Sequence, residues 1–324
     1  MRENTRQHYI PQAYLCNFVE KGKGIWVYNK TNSKKYLTSI DKICYTDDFY
    51  SLSEKTIKES SGVLNRLSIE KNFFAKNVEV QWATLLKQLV NTVELNIQQN
   101  PRPILVLDEE SKRLLAQHVA IQFIRLPEYR QQLEESQDCI IRSIKKIMDC
   151  DNARKASNFS EIEGFLNKDG DSAFEHYLYG FGSEEIVDGF VSRLVSNYWE
   201  LYISTNDYFY TSDFPIIVEP HVKDAELECL GLTMYGAEVT FPLTKKVLLK
   251  IWDKRYFPNK KDTDGEFIYA SNSFVRCENI RQYLYARNIV ISSCNDFSLP
   301  EFIKNKEGHE VSMHPNFKTV SNWD

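Results

Sequence analysis

The chain is 324 residues long (38.0 kDa), 42% apolar and 13% aromatic, with 40 basic against 45 acidic side chains and a net charge of −5. Its aromatic content excludes an intrinsically disordered chain, and its mild acidity excludes a histone-like nucleic-acid binder while leaving room for a local basic groove. At roughly 150 residues per domain the length allows one composite domain or two ordinary ones, either with a sizeable core.

In chain order, residues 1–55 read as a small β region. Gly24–Asn29 and Lys35–Ile40 are β-rich runs around a polar turn, a hairpin pattern, and Cys44–Leu52 is a third strand or an extended loop. Residues 56–150 read as a helical block. Ser61–Lys76 and Glu79–Gln99 carry apolar residues at three- and four-residue spacing, and Pro101 and Pro103 end the second run. Asp108 then stands as an N-cap, with Glu109 and Glu110 in the first turn of a pattern that runs to about Met148 and is broken by Pro127. Residues 151–172 are polar, contain Gly164 and Gly170, and read as a flexible connection.

Beyond it, residues 173–300 read as a helix (Ser183–Trp199), antiparallel strands and a late helix. Glu200–Thr205 and Tyr208–Ser212 flank Asn206-Asp207, a pair that tolerates the left-handed turn of a hairpin. Ile216–Glu219, Ala237–Leu243 and Val247–Trp252 are further strands, Asn272–Tyr285 is helical, and residues 301–324 form a polar, frayed tail. The order specifies an α+β fold: an N-terminal small β region, a central helical block, and a C-terminal antiparallel β-sheet with a late helix. The seven cysteines are odd in number and lack C-x-x-C spacing, which points to a reducing compartment. Cys44, Cys139, Cys277 and Cys294 sit in apolar surroundings and read as small hydrophobes. Met1–His8 carries no apolar leader, and no run reaches the ~18 residues of a membrane span. The expectation is a soluble, cytoplasmic protein with no membrane partner.

Three segments carry candidate chemistry. In His8-Tyr-Ile-Pro-Gln12, Pro11 opens a short helix, so His8 lies just before it and Gln12 in its first turn. His8 is then an acid–base group or metal ligand, or it caps the helix while Tyr14, Leu15 and Phe18 anchor it. On the nearly all-apolar helix Glu110–Leu126, His118, Gln122 and Arg125 fall on one stripe. An Arg there needs a partner: it serves either an anion-binding cavity or a structural network, and Asp213 is the expected carboxylate. Thr211-Ser212-Asp213 closes a strand before Pro215. Asp213 reads as a base or metal ligand, or joins Ser212 in an Asx or ST turn that caps nearby backbone amides. His309 and His314 lie in the polar tail and read as solvated. No P-loop, nucleophile elbow, zincin or dinucleotide signature is present.

Together these blocks resemble one family, the bacterial domain-of-unknown-function 4238 proteins. The likeness rests on His8–Phe18, Trp26-Val-Tyr28, Gln122–Pro127, Thr211–Pro215, Pro242–Thr244, and Asn279 with Arg281 and Tyr283. The family's Arg-Thr-Pro is Arg125-Leu126-Pro127 here. The resemblance implies site positions but no reaction. Two functions follow. One is a hydrolase acting on a phosphodiester or nucleotide, in the manner of a nuclease-like toxin or phage-defence effector. In it His8 and Asp213 are catalytic, Asp213 either as a base or as a ligand of a divalent metal (Mg or Mn), and Gln12, Gln122, Arg125, Thr211 and Ser212 bind substrate. The other is a non-catalytic module sensing an anionic small molecule or partner protein. Arg113-x-x-x-x-His118 also resembles the motif of HEPN ribonucleases, although Leu114 stands where those enzymes carry a polar residue.

Overall fold

Alternation of buried and exposed side chains places the first hairpin where the sequence does. Strand β2 (Ile25–Asn29) pairs antiparallel with β3 (Lys34–Thr38), and Ile25, Val27 and Tyr28 are buried while β3 faces solvent. The computed structural model describes residues 5–20, 24–99, 107–148, 170–222, 231–308 and 311–314. Most of the stretch read as a flexible connection lies outside these. Ahead of the hairpin, β1 (Arg6–His8) leads into the short helix α1 (Gln12–Leu15) and pairs with β4 (Tyr45–Asp47).

After α2 (Glu54–Glu59), the expected helix over Ser61–Lys76 is instead a widened, π-type helix at Ile69–Val78 that runs directly into α3 (Glu79–Gln99). Asp108 accepts from the Ser111 amide at 2.7 Å and starts α4 (Glu109–Ile124). Pro127 lacks an amide hydrogen and ends that helix, opening α5 (Pro127–Met148) in a new direction. Two further helices, α6 (Ser172–His176) and α7 (Glu184–Val195), complete the block, the latter packed along α4.

A five-stranded sheet follows in the order β10-β5-β9-β8-β7, from β5 (Tyr198–Ile203), β7 (Ile217–Pro220), β8 (Ala237–Pro242), β9 (Val247–Trp252) and β10 (Glu266–Tyr269). Only β10 runs parallel to its neighbour. The expected hairpin across Asn206-Asp207 does not form. Ser204 and Phe209 amides donate to Lys246 and Lys245 carbonyls, and the Asn279 side chain bonds Tyr208 O and Tyr210 N. The chain therefore peels away, and β6 (Thr211–Ser212) joins a second sheet, β3-β2-β11-β6, through β11 (Ile289–Ser292).

The larger sheet has two chemically different faces, as a period of two requires. Trp199, Leu201, Val239, Phe241, Leu249 and Ile251 face the main core, where Phe241 stacks on Tyr14 and Trp82. The opposite face carries Glu200, Glu238 and Lys250; α8 (Asn272–Tyr285) covers the latter two and supplies Glu278 and Arg281, while Lys260 and Thr263 meet Glu200. The tail differs from expectation too. Ser298–Glu307 is a helix (α9), and His314 is held by Tyr285 O at 2.9 Å and by Glu128 at 3.2 Å. Cys277 is exposed rather than a small hydrophobe in the core. Among the described residues, no helix is long and apolar enough to cross a membrane.

Candidate functional site

The polar stripe of α4 turns inward and grips the N-terminal segment. Gln122 Nε2 donates to Tyr9 O at 3.1 Å, and Arg125 Nη2 donates to His8 O at 2.5 Å. Arg125 is 1% exposed, its guanidinium 3.9 Å from the Phe74 ring centroid and 5.8 Å from that of Tyr50, whose hydroxyl donates to Arg125 O. Its carboxylate partner is Glu79, at 3.3 Å, and not Asp213. The widened helix ahead of α3 sets Glu79 against the end of α4, and it brings Glu70 to the same guanidinium. Burial pushes the Glu70 carboxyl up to about 7, against the pull of Arg125 and helped by Glu79.

His8 itself is buried at the end of β1, its ring 5.7 Å from Tyr45. Gln12 Nε2 lies 3.4 Å from Nδ1 and 3.5 Å from Nε2. Burial lowers the imidazole's pKa, Glu79 opposes that shift, and Arg125 adds to it. His8, Gln12, Gln122 and Arg125 thus come together.

Thr211 joins them only indirectly. Tyr14 donates its hydroxyl hydrogen to Pro242 O at 2.6 Å, so Thr211 donates to Tyr14 Oη at 2.7 Å. Ser212 makes the turn that its sequence suggests, accepting from the Phe214 amide and from Gln282 Nε2. Asp213 stands apart from Arg125. Its two oxygens accept three amides, Arg287 N at 3.0 Å, Asn288 N at 2.9 Å and Ile289 N at 3.3 Å. Burial pushes its carboxyl up to about 6, while those amides pull the other way. It closes the loop between α8 and β11.

Sequence reasoning missed Glu70, Glu79 and Trp82. Their only local signal was Glu79 in the first turn of a helix, which reads equally well as a dipole partner. His118 packs 4.6 Å from the Trp82 ring, with Nε2 buried and unpartnered, and burial pushes it down to about 4. The imidazole is therefore neutral at physiological pH.

His118 also lines a cavity of about 390 Å³ between the widened helix, α4 and the start of α7. Phe73, Tyr177 and Phe181 form one wall, with ring centroids 5.4–5.8 Å apart. Asn77, Gln81 and Gln117 contribute three amides. Gly182 is required where it stands, because a Cβ there would lie 2.4 Å from the Tyr177 ring. Glu184 and Asp188 sit at the rim, and neither Lys nor Arg lines the space among the described residues. Arg113 is exposed and lies 3.3 Å from Asp188.

A metal has one geometric candidate among the described residues, Glu219, His221 and Glu238, whose ligand atoms lie within 4.8 Å of one another. Protein cations already neutralise it: Arg281 contacts both carboxylates, and Lys250 pairs with Glu238, which they hold down at about 2 against the opposing effect of burial.

The chain belongs to the DUF4238 family of proteins of unknown function, whose model matches residues 6–296. No curated protein and no solved structure matches it. Mapped on the fold, several family-like blocks meet at the N-terminal segment: Gln122 and Arg125 hold its carbonyls, Thr211 and Pro242 hold Tyr14, and the Lys245 amide donates to Asn17 O.

Proposed function

We propose that this chain is a ligand-binding module whose site is the cavity beside His118, and that its ligand is a small ring compound without negative charge. One observation carries the reading: a 390 Å³ space combines an aromatic wall, three amides and a neutral histidine, with carboxylates at its rim and no cation in its lining among the described residues. This revises the anionic ligand expected from Arg125, whose guanidinium is closed off by Glu79 and His8 O. The test is a thermal-shift panel of uncharged, cationic and anionic ring compounds on the full chain and on Gln117→Leu. Uncharged or cationic rings should raise Tm, and Gln117→Leu should abolish the shift. Stabilisation by anions alone would sink the reading.

Hydrolysis of a phosphodiester or nucleotide, with Mg²⁺ or Mn²⁺, is a second reading. The Glu70 carboxyl favours it, because a group poised near 7 beside Arg125 and Glu79 suits proton transfer. Turnover retained in both His8→Ala and Glu70→Gln would remove it.

A further inference from the structure

We infer that the cavity beside His118 takes a nucleoside, and that it discriminates against the corresponding nucleotide. The inference rests on the binding reading above and names its ligand class. It begins with the shape of the lining. Phe73, Tyr177 and Phe181 offer apolar ring surface on one side, suited to the face of a heterocyclic base. Asn77, Gln81 and Gln117 each offer both a donor and an acceptor, which is what the edge of a base requires. His118 adds a neutral imidazole to the wall of this space; its ring packs beside Trp82, and its Nε2 is closed off from solvent.

The rim decides between nucleoside and nucleotide. Glu184 and Asp188 follow the Ser183 cap at the start of α7, and both are exposed at the cavity mouth. Carboxylates are good acceptors for the two hydroxyls of a ribose, and they repel a phosphate at the same position. Arg113 pairs with Asp188 at 3.3 Å, but both side chains are about two-thirds exposed, so this contact is weak and leaves the second carboxylate oxygen for a sugar hydroxyl.

The experiment is calorimetric titration of the full chain with adenosine, cytidine, their 2′,3′-dideoxy forms, adenosine 3′-monophosphate (AMP below), and inorganic phosphate. The nucleosides should bind, with AMP and the dideoxy forms weaker by about tenfold or more, the loss expected for one charge-assisted hydrogen bond. In Asp188→Asn, a surface change that leaves the fold intact, the nucleoside should weaken by a similar factor and the gap between adenosine and AMP should narrow. AMP binding as tightly as adenosine, or a gap unchanged in Asp188→Asn, overturns the inference. Binding of other uncharged rings, lost in Gln117→Leu, with no nucleoside bound, overturns the nucleoside assignment and leaves the cavity reading standing. No binding by any ring compound ends both.

Discussion

Arg125 shows how one side chain can be legible in sequence while its partner is not. An arginine on an otherwise apolar helix is committed to a buried counter-charge, because an unpaired guanidinium in the core is too costly. Which carboxylate answers it is a matter of long-range folding. Asp213 was the plausible choice from its strand-end position, yet three backbone amides already satisfy it, and Glu79 meets Arg125 because the widened helix swings the start of α3 against the end of α4. Arg125→Met should therefore destabilise the fold by about 3–5 kcal/mol, since it leaves Glu79 and the His8 carbonyl without their donor. Denaturant unfolding would measure it, and a double-mutant cycle with Glu79→Gln should recover part of the loss. A fully stable Arg125→Met would show that the pair does not hold the N-terminal segment. Asp213→Asn should cost roughly 1–3 kcal/mol, because the new amide group meets three backbone donors with only one acceptor oxygen. Urea midpoints for the two proteins would check this.

At the scale of elements, the periodic and capped segments were legible and the short paired ones were not. The bounds of α8 at Asn272–Tyr285, the Asp108 cap and the β2–β3 hairpin follow from spacing and cap chemistry that act within a few residues. Strands β10 and β11 have four residues each, and what makes them strands is a distant neighbour, β5 for one and both β2 and β6 for the other. Asn206-Asp207 illustrates the opposite error. Its turn chemistry is compatible with a hairpin, but Asn279 on α8 offers the following strand better partners than β5 does. The polar face of the larger sheet was also illegible, since Glu200, Glu238 and Lys250 alternate with apolar residues just as solvent-facing positions would. Here α8 covers Glu238 and Lys250, while Lys260 and Thr263 close over Glu200. Lys250→Met should accordingly be damaging, by about 3–5 kcal/mol, because Glu238 and Glu278 both rely on that ammonium. Adding Glu278→Leu should restore part of the loss in thermal unfolding. A Lys250→Met protein as stable as the parent would mean that Arg281 alone balances the face.

For the whole molecule, the shifted groups oppose one another across the acid range. Glu70 and Asp213 are raised to about 7 and about 6, so the folded chain holds their protons more tightly than the unfolded one. Their contribution is complete below the ordinary carboxylate range and is lost as pH rises through those values. His118 and His176 are lowered to about 4, both mainly by burial, so their contribution is complete above the ordinary imidazole value of 6.5 and is lost as pH falls toward 4. Each shift is worth ~3 kcal/mol, and two of each sign cancel over this interval. Glu238 is held at about 2, so its share disappears only as pH falls from 4.5 toward 2. Urea midpoints should therefore change little between pH 7 and pH 4 and drop steeply below that. Replacing Glu70 by Gln removes one of the compensating groups. The variant should be more stable than the parent at pH 8 by ~3 kcal/mol and should lose a similar amount on going from pH 7 to pH 4. A parent protein that already weakens at pH 6, or a Glu70→Gln profile parallel to it, would show that this balance of buried acids and imidazoles does not set the pH response.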